Sequence, residues 1–305
     1  MPPERLAHTY GPGVTSASRA VLLELMALLR AYQEALVLVG GWVPYFLLER
    51  ERRPDDGFIH VGSIDIDVAV DPAKVSEAHY ATIVELLTSR GYRPATDRRG
   101  GARLTSYERS LCSPATGKPY TIRVDFLTSP VEGTRPHPPH LAVQDDLLAR
   151  KMRGCEAAFR HQTVVRLSGA LPEGGTMTVP IRMADVVGLL TMKGIVLGER
   201  YREKDAYDIY ALAAHYQRGP RDVASLIRPH LEDPLVREAM ASIRDAFARR
   251  EAHGPAWVAA FLVSPVFAAE RERLVTEAFM VVSELTRHVF APASTMERRG
   301  SAVMG

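Results

Sequence analysis

Cysteine is close to absent: Cys112 and Cys155 are the two in 305 residues, far apart and outside any Cys-x-x-Cys spacing. That excludes a disulfide framework and a zinc ribbon, and it fits a reducing cytoplasm. No run of about 18 apolar residues occurs, which excludes a membrane-spanning helix. Met1-Pro-Pro-Glu-Arg5 lacks the apolar core of a secretory signal, so a cytoplasmic chain with no membrane partner is expected. Neither charge dominates, because 38 Lys and Arg stand against 36 Asp and Glu for a formal net charge of +2. No global electrostatic argument for an acidic partner follows, although arginines bunch locally at Arg98-Arg99, Arg200-Tyr-Arg-Glu-Lys204 and Arg249-Arg250. Gly-x-Gly-x-x-Gly and P-loop patterns are also missing. The remaining composition, 46% hydrophobic and 24% charged, is that of a folded chain with room for one large or two modest domains.

What is present centres on Val61-Gly-Ser-Ile-Asp-Ile-Asp-Val-Ala-Val70, a β-type run that carries Asp65 and Asp67 among Ile64, Ile66, Val68 and Val70. Residues two apart in a strand share a face, so both acids are expected to project from the same side. Asp is disfavoured in strands and costly to bury unpaired. Two of them in an apolar run therefore ask for a compensating charge, most simply a divalent metal held by carboxylates and substrate phosphates. The competing reading is a strand end whose acids only face water.

Upstream, Ser16 or Ser18 is expected to cap a buried helix over Val21–Arg30, and Ala35–Val39 reads as a buried strand closed by Gly40-Gly41. A helix follows at once over Val43–Arg50. Strand, glycines and helix N-terminus together make an anion cradle, since unpaired N–H groups and the helix dipole favour a phosphate there. Downstream, Lys74–Arg90 reads as an amphipathic helix. Arg103–Arg109 and Tyr120–Leu127 read as paired strands, the second carrying a third embedded acid, Asp125. Three acids on adjacent strands suit two metal ions and the displacement of a phosphoryl group.

His137-Pro-Pro-His140 is expected to be a loop rather than a metal site. A helix is expected around Asp145–Phe159, then two β-like runs at Thr163–Leu167 and Thr176–Ile181. Met183–Leu197 is an apolar helix with one cation, Lys193, whose alternatives are snorkelling to solvent or a role in a site. Beyond Glu199–Leu212, where Asp205 and Asp208 share a helical side, only helices are expected up to a frayed tail at Glu297–Gly305.

Three stretches, taken in order, resemble one family: Leu38-Val-Gly-Gly-Trp-Val-Pro-Tyr-Phe-Leu-Leu48, Gly62-Ser-Ile-Asp-Ile-Asp-Val68, and Arg200-Tyr-Arg-Glu-Lys-Asp-Ala-Tyr-Asp-Ile-Tyr210 preceded by Lys193. The chain is similar over Leu36–Leu212 to nucleotidyltransferases of the DNA polymerase beta superfamily, and within them to AbiEii-like toxins of type IV toxin-antitoxin systems. The resemblance implies an α/β fold, a mixed sheet flanked by helices, with a catalytic core over residues 1–140 and a mainly helical region over 141–305. It implies transfer of a nucleoside monophosphate from an NTP to an RNA acceptor, a tRNA 3′ end, with an antitoxin protein as partner.

By the same resemblance, Asp65, Asp67 and Asp125 hold Mg2+, two ions being expected and Mn2+ able to substitute. Asp65, Asp67, Asp125, Lys193 and Asp208 are the catalytic set. Gly40, Gly41, Ser63, Lys193, Arg200, Arg202 and Lys204 bind the nucleotide. Either Gly40-Gly41 or Gly62-Ser63 could serve as the phosphate-binding pair, and the position of the first between strand and helix favours it. Pro44 and Tyr45 stand where tRNA-terminal CCA-adding enzymes carry Arg-Asp, which sets the chain apart from them. A small-molecule nucleotidyltransferase of the antibiotic-modifying kind and a non-catalytic nucleotide-binding scaffold are the alternative readings.

Overall fold

The fold was analysed on a computed structural model that describes residues 6–75, 81–97, 100–130, 139–199 and 203–292. Arg98, Arg99, Arg200, Arg202, His137 and the Glu297–Gly305 tail lie outside the described residues. Helix α1 spans Pro12–Leu28, with proline in its first turn where the missing N–H costs nothing. It begins earlier than Ser16 or Ser18, and neither caps it. Ser18 is instead buried, accepting the Trp42 indole N–H at 3.0 Å. Strand β1 (Leu36–Val39) is buried at every position, and helix α2 (Trp42–Glu51) starts directly after the glycines.

Strand β2 covers Ile66–Val70 only; Val61–Asp65 is an irregular approach, so Asp65 sits in the bend before the strand. Helix α3 (Ile83–Ser89) is started by a capping box, Thr82 with Glu85, and residues 76–80 of the helix expected over Lys74–Arg90 lie outside the described residues. Strands β3 (Arg93–Thr96), β4 (Ala102–Cys112) and β5 (Pro119–Thr128) follow. Where a helix was expected over Asp145–Phe159, the chain makes a hairpin, β6 (His140–Gln144) and β7 (Leu147–Lys151), then a short helix α4 (Cys155–Arg160). Along β7 burial alternates, with Leu147 and Ala149 inside and Leu148 and Arg150 half-buried, a period-two pattern that the consecutive apolar residues and neighbouring charges conceal. A second hairpin, β8 (Gln162–Ala170) and β9 (Thr176–Ala184), leads into helices α5 (Val186–Glu199), α6 (Glu203–His215), α7 (Pro220–Ile227), α8 (Pro234–Ala246), α9 (His253–Leu262) and α10 (Ala268–Val289).

The described strands form one nine-stranded mixed sheet in the order β3-β4-β5-β2-β1-β9-β8, with β7 added at the end of β5 and β6 beyond it. The sheet thus continues past residue 140: β7 runs parallel to β5, and β9 runs parallel to β1. The three central registers place the site. Val39 lies opposite Asp67 across the antiparallel β1–β2 pair, Asp67 opposite Asp125 across the parallel β2–β5 pair, and Ser106 opposite Asp125 across β4–β5. Helix α5 is buried from Val186 to Leu197 and packs against α8, which forces Lys193 inside. Among the described residues no helix is long and apolar enough to cross a membrane.

Candidate active site

On β2 and β5 alternate residues face opposite ways: Ile66, Val68, Val124 and Phe126 are fully buried, while Asp67 and Asp125 share the other face side by side. Both acids are half-buried, as is Asp65 just ahead of them. Their charges meet with little compensation. Burial first, then the neighbouring carboxylates of Asp125 and Asp65, push Asp67 up to about 7, while Arg150 and Lys193 pull the other way. Ser106 donates to Oδ1 of Asp125 at 2.5 Å, the only hydrogen bond of that carboxylate among the described residues.

The glycines serve two purposes. Gly40 has φ +74°, and a Cβ there would collide with Oδ2 of Asp67, so glycine is what lets that carboxylate lie against the end of β1. Gly41 is the N-cap of α2; a Cβ on it would lie 2.9 Å from Ser63 Oγ and 3.4 Å from Lys204 Nζ. The two candidate phosphate-binding pairs therefore converge: Gly41, Ser63 and Lys204 share one corner at the N-terminus of α2. Ser63 Oγ also donates to the Asp65 carbonyl at 2.8 Å, tying that corner to the acids.

Beside this corner lies a second charged cluster. Lys193 Nζ stands 2.5 Å from Asp205 Oδ1 and 2.7 Å from Asp208 Oδ2, and Lys204 Nζ stands 2.5 Å from Asp208 Oδ1. The lysine on the apolar helix does not snorkel to solvent. Burial disfavours its charge, but Asp205 and Asp208 outweigh that and raise its pKa above the ordinary lysine value. Asp208 is 1% exposed. Burial opposes its charge too, yet Lys193, Lys204 and His60 hold it well below the usual carboxylate range. Lys204 goes the other way, lowered by burial and by the charge of Lys193 despite Asp208. Its ammonium is also bracketed by the rings of Tyr10, Tyr207 and Phe261 at 5.5, 5.4 and 5.9 Å.

His60 escaped the sequence reading. Its Nδ1 accepts the Gly62 N–H at 3.1 Å, so the proton sits on Nε2, 3.0 Å from Asp208 Oδ1. Burial and the Lys204 charge lower its pKa to about 4, against the pull of Asp208, so the ring is neutral near pH 7. The loop that carries it is pinned by Asp56, 2.7 Å from His215 Nδ1, and by Phe58 stacked on the His215 ring at 3.8 Å. Nothing in the spacing of His60 marked it, because its role depends on a residue 148 positions later in the chain. Ser106 was equally silent until the β4–β5 register placed it opposite Asp125.

Of the sequence-derived site, Asp65, Asp67, Asp125, Gly40, Gly41, Ser63, Lys193, Lys204 and Asp208 come together in one region. Arg200 and Arg202 lie outside the described residues. Asp208 is enclosed by cations rather than placed in the row of acids. Among the described residues no three His, Cys, Asp or Glu side chains converge as a preformed metal cage. Three crowded carboxylates, one of them driven towards neutrality by burial and by its neighbours, nevertheless fit a cation that takes part of its coordination from substrate oxygens. Two surface hollows, of about 500 Å³ along α10 and about 320 Å³ between α2 and β8, are not lined by any of these acids. No family model matches the chain, and no curated protein matches it.

Proposed function

We propose that the protein is a nucleotidyltransferase that moves a nucleoside monophosphate from an NTP to the hydroxyl of an RNA acceptor. The observation that carries this reading is the side-by-side placement of Asp67 and Asp125 on one sheet face, with Asp65 beside them and a glycine-lined helix N-terminus at their edge. Mg2+ held by Asp65, Asp67 and Asp125 would, when bound, polarise the α-phosphate and lower the pKa of the attacking hydroxyl.

The triphosphate runs towards the corner of Gly41, Ser63 and Lys204, at the positive end of the α2 dipole, where the Lys204 ammonium, already paired with Asp208, adds its charge. Oδ1 of Asp125 is engaged by Ser106, leaving Oδ2 to accept the acceptor's proton. The acceptor oxygen then bonds to the α-phosphorus, the bond from that phosphorus to the bridging oxygen breaks, and pyrophosphate leaves. The motif resemblance extends the reading to a cytoplasmic AbiEii-like toxin, with a tRNA 3′ end as acceptor and a cognate antitoxin.

Incubating the full chain with each α-labelled NTP, Mg2+ and total RNA is the direct test. Label is expected to enter RNA with release of pyrophosphate. Label entering only small molecules would move the assignment to the antibiotic-modifying type, and no turnover of any NTP would leave a nucleotide-binding scaffold.

A further inference from the structure

The acid face carries two arginines that the proposed reaction does not yet use. Arg123 lies two residues before Asp125 on β5 and therefore on the same face. Arg150 on β7 is registered with Leu127, two residues after Asp125, and shares that face as well. Both are half-buried. Among the described residues neither forms an ion pair, although Arg150 lies near enough to Asp67 to pull its pKa down; Arg123 is not closed onto Glu108, its cross-strand neighbour, and its Nε is buried without a hydrogen-bond partner. Several other half-buried arginines are engaged, Arg19 by Glu49, Arg109 by Glu24 and Glu173, Arg182 by Glu34, while exposed ones such as Arg103 and Arg166 form no ion pair among the described residues. A half-buried guanidinium without an anion is costly by itself, and its planar fork of donors matches a phosphate.

Their position along the sheet decides which phosphate. The neighbouring strands run β1, β2, β5, and then β4 or β7. The Gly40-Gly41 corner follows β1 on one side of the acids, Arg150 stands on β7 on the other, and Arg123 stands on β5 beside Asp125 itself. In an in-line displacement the attacking and leaving oxygens occupy opposite sides of the phosphorus. With pyrophosphate leaving towards Gly41, the acceptor must enter from the arginine side. Along β5 the positions flanking Asp125 are about 13 Å apart, roughly two nucleotide steps of an extended strand, so the two guanidiniums suit different phosphates rather than a single one.

We infer that Arg123 and Arg150 are acceptor-positioning residues, seating backbone phosphates of a nucleic-acid strand so that its terminal hydroxyl reaches Asp125. This inference rests on the nucleotidyltransferase reading. Two measurements on the full chain test it: binding of a 5′-labelled single-stranded RNA across a salt series without metal or NTP, and steady-state KM values for that RNA and for the NTP. Arg123→Ala and Arg150→Ala are each expected to raise the RNA KM at least tenfold, with the NTP KM unchanged within about twofold. Each should reduce the slope of log affinity against log salt by roughly 0.7, the value for one lost phosphate contact to a single strand.

Arg150 also acts on the charge of Asp67, so Arg150→Lys keeps the positive charge and separates the two effects. It is expected to restore the salt slope but only part of the RNA KM, because the fork is gone. Full recovery of the RNA KM in Arg150→Lys, an NTP KM that rises with that of the RNA, or an unchanged slope in both alanine variants overturns the arginine assignment while RNA labelling by the parent stands. A parent chain that neither binds nor labels RNA overturns this inference together with the acceptor on which it rests.

Discussion

Lys193, Lys204, Asp205 and Asp208 cancel one another's charge inside the fold, with neutral His60 completing their contacts, whereas Asp65, Asp67 and Asp125 gather like charges at an open sheet face. The two groups lie within electrostatic reach, since the Lys193 charge is felt at Asp67. A balanced buried cluster holds a shape, and losing one member strands the rest. An unbalanced row carries repulsion in the resting protein and gains from whatever cation or substrate relieves it. The comparison thus separates residues that maintain the site from residues that act in it. It moves Asp208 and Lys193 towards the first group, although the sequence motif presents all of them alike.

Asp67→Asn breaks the comparison most sharply. Asparagine keeps the volume and removes the charge, so NTP turnover is expected to fall about 1,000-fold or more, roughly 4 kcal/mol of transition-state stabilisation. Thermal stability should hold or rise, because repulsion from Asp125 and Asp65 is relieved. Turnover within tenfold of the parent at saturating Mg2+ would remove Asp67 from the reaction.

Asp208→Ala is the reverse case. It leaves the buried Lys204 ammonium and the His60 Nε2–H without their acceptor and strips Lys193 of one of its two carboxylates, a loss of about 3–5 kcal/mol in urea unfolding. A cost below about 1 kcal/mol would mean that the cluster is not structural. Lys193→Ala should follow it in sign, which separates a buried ion-pair member from the snorkelling lysine the apolar helix first offered.

The row of acids was legible because it is local. Asp65 and Asp67 are two apart, Asp125 repeats the same apolar embedding, and side-chain alternation puts Asp67 and Asp125 on a definite face, whereas Asp65 joins them from the bend before β2. Gly40-Gly41 was legible as a strand-to-helix turn. The reason for Gly40 was not, since its glycine requirement comes from the Asp67 carboxylate across the β1–β2 pair. The second cluster was half legible: the spacing of Asp205 and Asp208 marked a helical side, but their partners come from α5 and from the loop before β2. The β6–β7 hairpin was misread as helix because charges at Asp145, Asp146, Arg150 and Lys151 interrupt a short alternation that only burial reveals. Ser106, Arg123 and Arg150 acquire meaning from strand register alone, which one sequence does not supply.

The pH dependence of stability gives the two groups opposite signs. In metal-free buffer, His60 has a folded pKa of about 4 against an ordinary 6.5, so the unfolded chain binds more protons between these values. Its contribution is present above pH 6.5 and is lost as pH falls towards 4, by roughly 3 kcal/mol at most. Asp67 is raised from 3.8 to about 7, so its contribution is present below pH 3.8 and is lost as pH rises towards 7. Urea unfolding at intervals between pH 4 and 7 should therefore show partial cancellation in the parent. Asp67→Asn is expected to expose a stability that climbs with pH, and His60→Gln one that declines. Identical profiles for both variants would show that neither group titrates in the way its surroundings dictate.

The smallest effects come from the adjacent glycines, and they sort by which group each one touches. Gly40→Ala forces a side chain into the left-handed region at φ +74° and against the Asp67 carboxylate, so it is expected to cost about 1–2 kcal/mol of stability for the backbone alone. By moving a carboxylate of the acid row it should also lower kcat. Gly41 has an ordinary φ of −73°, but its Cβ would meet Ser63 Oγ at 2.9 Å, Ser63 Cβ at 3.2 Å and the end of Lys204 at 3.4 Å, so the Ser63 hydroxyl must turn away from the Asp65 carbonyl. Gly41→Ala should then cost about 1 kcal/mol, the net worth of one hydrogen bond, with no backbone strain. The methyl group nonetheless occupies the corner assigned to the triphosphate, so the NTP KM should rise several-fold with kcat nearly unchanged. Urea unfolding and steady-state kinetics on the two variants read both axes. An NTP KM unaltered by Gly41→Ala would place the phosphates away from the α2 N-terminus, and the corner of Gly41, Ser63 and Lys204 would then belong with the structural cluster beside it.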